Sequence, residues 1–122
     1  MENKKEIPTN VSTSNQFRAL WYDFKEESNN FKTDNFTPSE KLINTYNLRL
    51  QNGEYYFSGF LTVTDDFEKK IFTHLGGSLV SYTSELYSFR FPLKNITELV
   101  NIKGIKRIEL SISTQKMNFN ED

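Results

Sequence analysis

The first half of the chain carries a helical pattern of apolar positions. Four apolar residues recur at the i, i+3, i+4 and i+7 spacing of one face of an amphipathic helix, and they are Phe17, Leu20, Trp21 and Phe24. Ser14 or Asn15 is suited to cap its first turn. Residues 1–16 are polar and lack periodicity, which predicts a disordered lead-in.

A second, shorter helix is predicted after a segment rich in turn-forming residues. Residues 28–36 form that segment and are interpreted as a linker. The motif Thr37-Pro38-Ser39-Glu40 then indicates a helix start, with Thr37 as the cap and Glu40 completing a capping box. Residues 17–46 are therefore assigned to an N-terminal helical extension.

The second half of the chain alternates between strand and helix patterns. Segments rich in β-forming residues predict four strands, at 55–63, 78–82, 85–91 and 105–112. A capping box at residues 65–68 begins the first intervening helix, and Gly76 in the left-handed position ends it. Asn95 caps the second helix, which continues through Asn101.

The order strand, helix, strand, strand, helix, strand is that of the split β-α-β motif. It predicts a ferredoxin-like α+β domain over residues 54–112, with a four-stranded antiparallel sheet and both helices on one face. Residues 113–122 form a polar C-terminal tail. By alternation, the uncovered face of the sheet carries Arg107, Glu109, Tyr56, Ser58 and Phe60. An uncovered sheet face with aromatic side chains is a candidate binding surface.

The composition indicates a core that depends on aromatic residues and a surface without a strong charge bias. Eleven Phe and six Tyr are present among 122 residues, and each buries a large area. Fifteen basic and sixteen acidic residues give a formal net charge of -1, so no charge excess points to nucleic acid or to a membrane surface. Residues 88–91 match the RNA-recognition signature poorly, which disfavours RNA binding.

Residue types that carry chemistry are sparse and have structural explanations. The absence of cysteine excludes disulfides, thiolate metal sites and cysteine nucleophiles. The single histidine, His74, lies near a helix C-terminus, where a cation is favoured, and no triad partner stands at a suitable spacing. Asp65 and Asp66 fit a helix cap. We therefore expect a protein that is not an enzyme and that binds no metal or cofactor.

The N-terminal residues indicate where the chain resides. Residues 1–8 contain no apolar segment of the kind found in signal peptides, and no run in the chain reaches the roughly 18 apolar residues of a membrane span. The sequence as it stands predicts a cytoplasmic protein. If the chain is cut from a longer precursor, an extracellular or periplasmic location is expected instead.

Residues 55–117 resemble the propeptide, or inhibitor, domain of subtilisin-like serine proteases. The matching features are the Gly76-Gly77 pair after the first core helix, the strand-Pro-helix passage at Pro92, and a last strand with an aliphatic-x-x-Ile-Glu pattern that ends at Glu109. The resemblance covers about half of the chain. It implies a domain that binds a subtilisin-like protease as an inhibitor or a folding assistant.

The resemblance also implies which residues contact the protease. In the family, the uncovered sheet face packs against two surface helices of the protease, and acidic residues of the last strand cap their N-termini. The matching positions are Glu109 and Ser111, and Ser111 departs from the acidic residue of the family. The family's tail runs extended into the active-site cleft, and the matching residues are Thr114, Gln115, Lys116 and Met117. A disordered tail is the alternative.

Two other functions fit the same predicted fold. The domain could be an interaction or structural subunit of a larger assembly with an unrelated partner. Its N-terminal helix would then dock in a groove of that partner with Trp21 as the anchor, or else pack onto its own domain. A ligand-sensing regulatory domain that dimerises through its sheet is the third possibility. The fold alone does not decide among these functions.

Overall fold

The computed structural model describes residues 6–111 of the 122-residue chain. Within that range, the strands are β1 (Ser12–Thr13), β2 (Arg49–Gln51), β3 (Glu54–Val63), β4 (Ser78–Ser81), β5 (Leu86–Pro92) and β6 (Ile105–Leu110). The helices are α1 (Asn15–Glu27), α2 (Glu40–Tyr46), α3 (Lys69–His74) and α4 (Ile96–Leu99), and a 3₁₀ turn at Leu93–Asn95 precedes α4.

The strands form one sheet in the order β1-β6-β3-β5-β4, and β2 pairs with the beginning of β3. The pair β1–β6 is parallel and the other neighbours are antiparallel. This mixed architecture agrees with the predicted α+β class, but the prediction of four strands is wrong because the described residues form six. The two additional strands have two and three residues, too few to produce a recognisable periodic pattern.

β3 alternates between buried and partly exposed side chains along its length. Phe57, Leu61 and Val63 point to the buried side, and the register places Phe91 of β5 opposite Phe57 and Ile108 of β6 opposite Leu61. Fully burying each such side chain contributes about 1.5–3 kcal/mol. A register shift of one residue would expose this whole layer, so the packing fixes which side of the sheet is buried.

Aromatic rings connect the helices to the buried side of the sheet. The ring of Phe17 in α1 lies 6.0 Å from that of Phe57 between centroids, and the ring of Phe72 in α3 lies 5.0 Å from that of Phe91. Ile96 of α4 is fully buried in the same core. Three helices therefore cover one side of the sheet, and none of the described helices covers the other.

Ser14 joins the first turn of α1 to β6. Its hydroxyl accepts hydrogen bonds from the N–H of Phe17 at 3.2 Å and from the N–H of Leu110 at 3.1 Å. Its own N–H donates to the carbonyl oxygen of Ile108 at 3.0 Å. The prediction of a disordered lead-in is thus wrong for residues 6–16, because strand pairing orders a segment that has no apolar period of its own.

The predicted linker between α1 and α2 contributes to the core. The ring of Phe31 lies edge-on to Trp21 at 5.1 Å between centroids, and the ring of Phe36 lies 5.5 Å from Phe24. Residues 29–31 all have positive φ, between 57° and 67°, which turns the chain back over α1. The aromatic residues of this segment therefore complete the apolar side of the helix.

α2 begins two residues later than the sequence predicts. Ser39, not Thr37, is its N-cap, and the Ser39 hydroxyl accepts a hydrogen bond from the N–H of Leu42 at 3.1 Å. The carboxylate of Glu27 accepts from both the N–H and the hydroxyl of Ser39, each at 2.6 Å. Glu27 is the last residue of α1, so this contact could not be predicted from the local capping-box pattern around Thr37.

The side-chain caps predicted for the two later helices do not form, although Asn95 holds the N-cap position of α4, because the tertiary fold supplies other partners. Asp66 accepts a hydrogen bond from the hydroxyl of Thr64, and α3 begins beyond the predicted box without a side-chain cap. The side chain of Asn95 donates to the carbonyl oxygen of Leu75 at 2.9 Å instead of capping α4. Gly76 has a φ of 102°, which confirms the predicted left-handed residue after α3.

β3 and β6 approach each other closely at Gly59. A Cβ atom at this position would lie 2.0 Å from the carbonyl oxygen of Glu109, which is closer than real atoms approach. The missing side chain allows Leu110 of β6 to lie opposite Gly59 in the ladder. This contact fixes the position of the strand segment that carries Glu109.

Substitution of Ser14 tests the connection between α1 and β6. Ser14→Ala leaves the N–H groups of Phe17 and Leu110 without their acceptor, so it should lower the free energy of unfolding by about 2–3 kcal/mol in urea denaturation. Ser39→Ala, which removes an exposed cap, should cost about 1 kcal/mol and is the matched control. Equal losses for the two variants would contradict the buried double acceptor.

Substitution of Gly59 tests the close approach of β3 and β6. Gly59→Ala places a methyl group against the backbone of Glu109, and we expect a loss of at least about 2 kcal/mol of stability. Ser58→Ala, one residue away with its side chain on the uncovered side, should cost less than about 1 kcal/mol. Similar urea midpoints for both variants would show that the strands are not in contact there.

Candidate functional site

The side of the sheet opposite the helices is the candidate site and is called the open face. It carries the partly or fully exposed residues Tyr56, Ser58, Phe60, Ser78, Val80, Ser88, Arg90, Arg107 and Glu109. The register places Glu109 opposite Phe60, Phe60 opposite Ser88, and Ser88 opposite Val80. The alternation that buries Phe57 therefore presents a continuous surface of polar and apolar side chains across four strands.

Glu109 is an exposed carboxylate near the end of β6. The ion pairs within residues 6–111 are Lys25–Glu6, Lys94–Glu54 and Lys103–Asp66, so Glu109 takes part in none of them. A carboxylate in this state can accept hydrogen bonds from the backbone N–H groups of another molecule. Its placement on the open face agrees with the alternation predicted for the last strand.

The outer edge of β6 is already occupied. β1 pairs with Arg107 and Ile108, and Ser14 bonds to the backbone of Ile108 and Leu110 along the same edge. The guanidinium of Arg107 also donates to the hydroxyl of Ser12 at 2.6 Å. A partner that reaches Glu109 therefore has to contact the open face and cannot add a strand at this edge.

One end of the open face is apolar. Val80 and Tyr82 are each 60% exposed, although both are large hydrophobic residues. The ring of Tyr82 lies edge-on to that of Phe60 at 6.0 Å between centroids. Exposed apolar side chains grouped in this way are typical of interaction surfaces.

The other end of the open face is basic. Arg90 of β5 lies opposite Ser58, and its guanidinium carbon is 5.6 Å from the centroid of the Tyr56 ring. Arg49 of β2 lies opposite Tyr56 on the other side of β3. Ser111, whose N–H donates to the carbonyl oxygen of Ser58, borders the same region. Arg49, Ser58, Arg90 and Ser111 are among the residues that line a cavity of about 440 Å³.

Four of the residues predicted to contact a partner are brought together here. Tyr56, Phe60 and Glu109 lie on the open face, and Ser111 follows β6 at its basic end. The remaining predicted contacts in the tail, which are Thr114, Gln115, Lys116 and Met117, lie outside the described residues.

Trp21 does not belong to this surface. It is 1% exposed and its ring packs between Phe17 and Phe31. The interpretation of Trp21 as an anchor in a partner's groove is therefore wrong, because α1 uses its apolar side to cover the sheet. The packed alternative for this helix is the one that the structure shows.

The sequence reasoning missed several residues of the open face. Arg49 belongs to a strand that the sequence pattern does not predict. For Tyr82 the pattern predicts a strand but not that the side chain is exposed. Arg90 could have been found, since alternation along β5 from the buried Phe89 and Phe91 puts it on the uncovered side. Val80 follows from the same argument applied to β4.

The other titratable groups of interest lie away from the open face. His74 is exposed in the last turn of α3. The hydrogen bond from Thr64 lowers the pKa of the Asp66 carboxyl, and burial together with the hydrogen bond to Asp23 raises the pKa of the Tyr46 hydroxyl. Over residues 6–111, no three side chains of His, Cys, Asp or Glu are grouped as metal ligands.

None of the helices in the described range is long and apolar enough to cross a membrane. Comparisons of the chain with models of protein families, with curated proteins and with solved structures found no match.

Proposed function

We propose that the chain is a non-catalytic, protein-binding domain whose partner covers the open face. The observation that carries this proposal is Glu109, an exposed carboxylate without an ion pair among residues 6–111, on a sheet face that no described helix covers. The exposed side chains of Val80 and Tyr82 lie on the same face. Protein interfaces combine such apolar and aromatic contacts with a small number of directed polar groups.

The strand order supports a ferredoxin-like core as the basis of this surface. The four strands of the split β-α-β motif are β3, β4, β5 and β6 in chain order. In the sheet, β6 lies beside β3, and β5 lies between β3 and β4. α3 follows β3 and α4 follows β5, as that motif requires. On this proposal β1 and β2 are additions beside β6 and β3, and the strand order supports the core topology that the resemblance to subtilisin propeptides implies.

The partner that this resemblance favours is a subtilisin-like serine protease, which the chain inhibits or helps to fold. The carboxylate of Glu109 would accept hydrogen bonds from the first N–H groups of a surface helix of the protease, where the helix dipole favours an anion. Phe60 and Tyr82 would supply apolar contact area beside it. Thr114 to Met117 would occupy the active-site cleft, a part of the proposal that depends on the resemblance.

An unrelated partner in a larger assembly is the second candidate. The observation that favours it is the basic end of the open face, where Arg49 and Arg90 line one cavity and none of the described residues that line it is a carboxylate. The positive end of a helix dipole repels two guanidinium groups, whereas an acidic protein surface attracts them. Isolation of a stable acidic partner that is not a protease would favour this candidate over the first.

Inhibition of a purified subtilisin tests the first candidate. The folded 122-residue chain should inhibit the protease at micromolar concentration, and Glu109→Gln should weaken the inhibition by about 3- to 30-fold, the range expected for an anion at a helix N-terminus. Glu98→Gln is the matched control, because Glu98 is exposed on α4 on the opposite side of the sheet. It should change the inhibition constant by less than about twofold.

Two results of this assay would contradict the proposal. A folded chain that leaves the protease fully active at micromolar concentration would exclude a subtilisin-like partner of this kind. Equal effects of the Glu109 and Glu98 substitutions would show that the open face is not the contact surface, even if the chain inhibits.

A further inference from the structure

The cavity at the basic end of the open face has the composition of an anion site. Six polar side chains line it, and they are Asn47, Arg49, Gln51, Ser58, Arg90 and Ser111. Two of them carry a full positive charge, four can donate hydrogen bonds as amides or hydroxyls, and no carboxylate is among them. Its volume of about 440 Å³ falls within the range of small-molecule sites.

The side chain of Arg90 packs against an aromatic ring of the open face. Its guanidinium lies over the ring of Tyr56 at 5.6 Å, and its Nε atom is buried without a hydrogen-bond partner among residues 6–111. Stacking on an aromatic ring positions an arginine and leaves its two terminal nitrogens as the donors that can meet an oxyanion.

The strand register explains why both arginines face one cavity. Tyr56 of β3 has Arg49 of β2 opposite it, and Ser58 two residues further along β3 has Arg90 of β5 opposite it. Residues two apart on a strand share a face, so both cations stand on the open face on either side of β3. Ser111 approaches from β6 through its hydrogen bond to the carbonyl oxygen of Ser58.

We infer that this cavity binds the dianionic phosphate group of a small phosphate monoester. Two guanidinium groups match the double negative charge, and arginine can donate two parallel hydrogen bonds to a phosphate. Ser58, Ser111 and Asn47 supply neutral donors for the remaining oxygens. The site goes beyond the proposed protein-binding function, and phosphate binding at it can be measured without any protein partner.

Titration of the ¹⁵N-labelled full chain with methyl phosphate tests the site directly. The ionic strength is held constant with sodium chloride, at about pH 7.5, where a phosphate monoester is mainly dianionic. The amide signals of Ser58, Arg90 and Ser111 should shift and saturate, with a Kd on the order of 1 mM. Arg90→Gln should weaken binding by at least about tenfold.

Two further variants make the result specific. Arg49→Gln should also weaken binding by about tenfold, and it tests the site independently if Arg90→Gln does not fold. Arg107→Gln is the matched control, because this substitution removes the same charge from the open face. Arg107 itself already donates a hydrogen bond to Ser12. The control substitution should change the Kd by less than about twofold.

Three outcomes would overturn the assignment. Shifts that stay linear to high concentration would show that no site is formed. Equal weakening by Arg107→Gln and Arg90→Gln would show general attraction to a basic surface. Acetate that binds as tightly as methyl phosphate would show a site for a single carboxylate. Because the titration contains no protease, each outcome is separate from the inhibition assay.

Discussion

The packing of Phe57 between α1 and β5 decides which residues of the chain reach the surface. Its ring lies within about 6 Å of the rings of Phe17, Phe89 and Phe91, and it has no exposed area. Since neighbouring residues of a strand point to opposite sides, this burial directs Tyr56 and the following polar residues away from the helices. The open face is thus a consequence of the aromatic core.

The position of β6 depends on two small residues. Ser14 fastens its outer edge to α1 through a buried hydroxyl, and Gly59 removes the side chain that would separate β6 from β3. These contacts hold the backbone on both sides of Glu109 while its carboxylate stays exposed. Because the strand is held in place, only the side chain of Glu109 has to lose conformational freedom on binding, which lowers the entropy cost of the contact.

Much of the core, but little of its periphery, could be predicted from the sequence. The 3.6-residue spacing of Phe17, Leu20, Trp21 and Phe24 predicted α1, and alternation in the last strand placed Glu109 on the uncovered side. The caps of the helices after α1 and the strand β1 could not be predicted, because Glu27, Leu75 and β6 supply partners distant in sequence. β2 pairs with the neighbouring β3, but its three residues are too few to show a periodic pattern. The basic cavity was missed because Arg49 reaches it from an unpredicted strand.

The central claim is that a subtilisin-like protease covers the open face. The chain has no cysteine, so a single cysteine can report on each side of the sheet. The most direct measurement is the rate of thiol labelling of Ser88→Cys, at the centre of the open face, and of Glu98→Cys on α4, with and without a subtilisin. Slower labelling at position 88 alone is the predicted result. Slower labelling at position 98 alone, or unchanged rates at both positions, would contradict it.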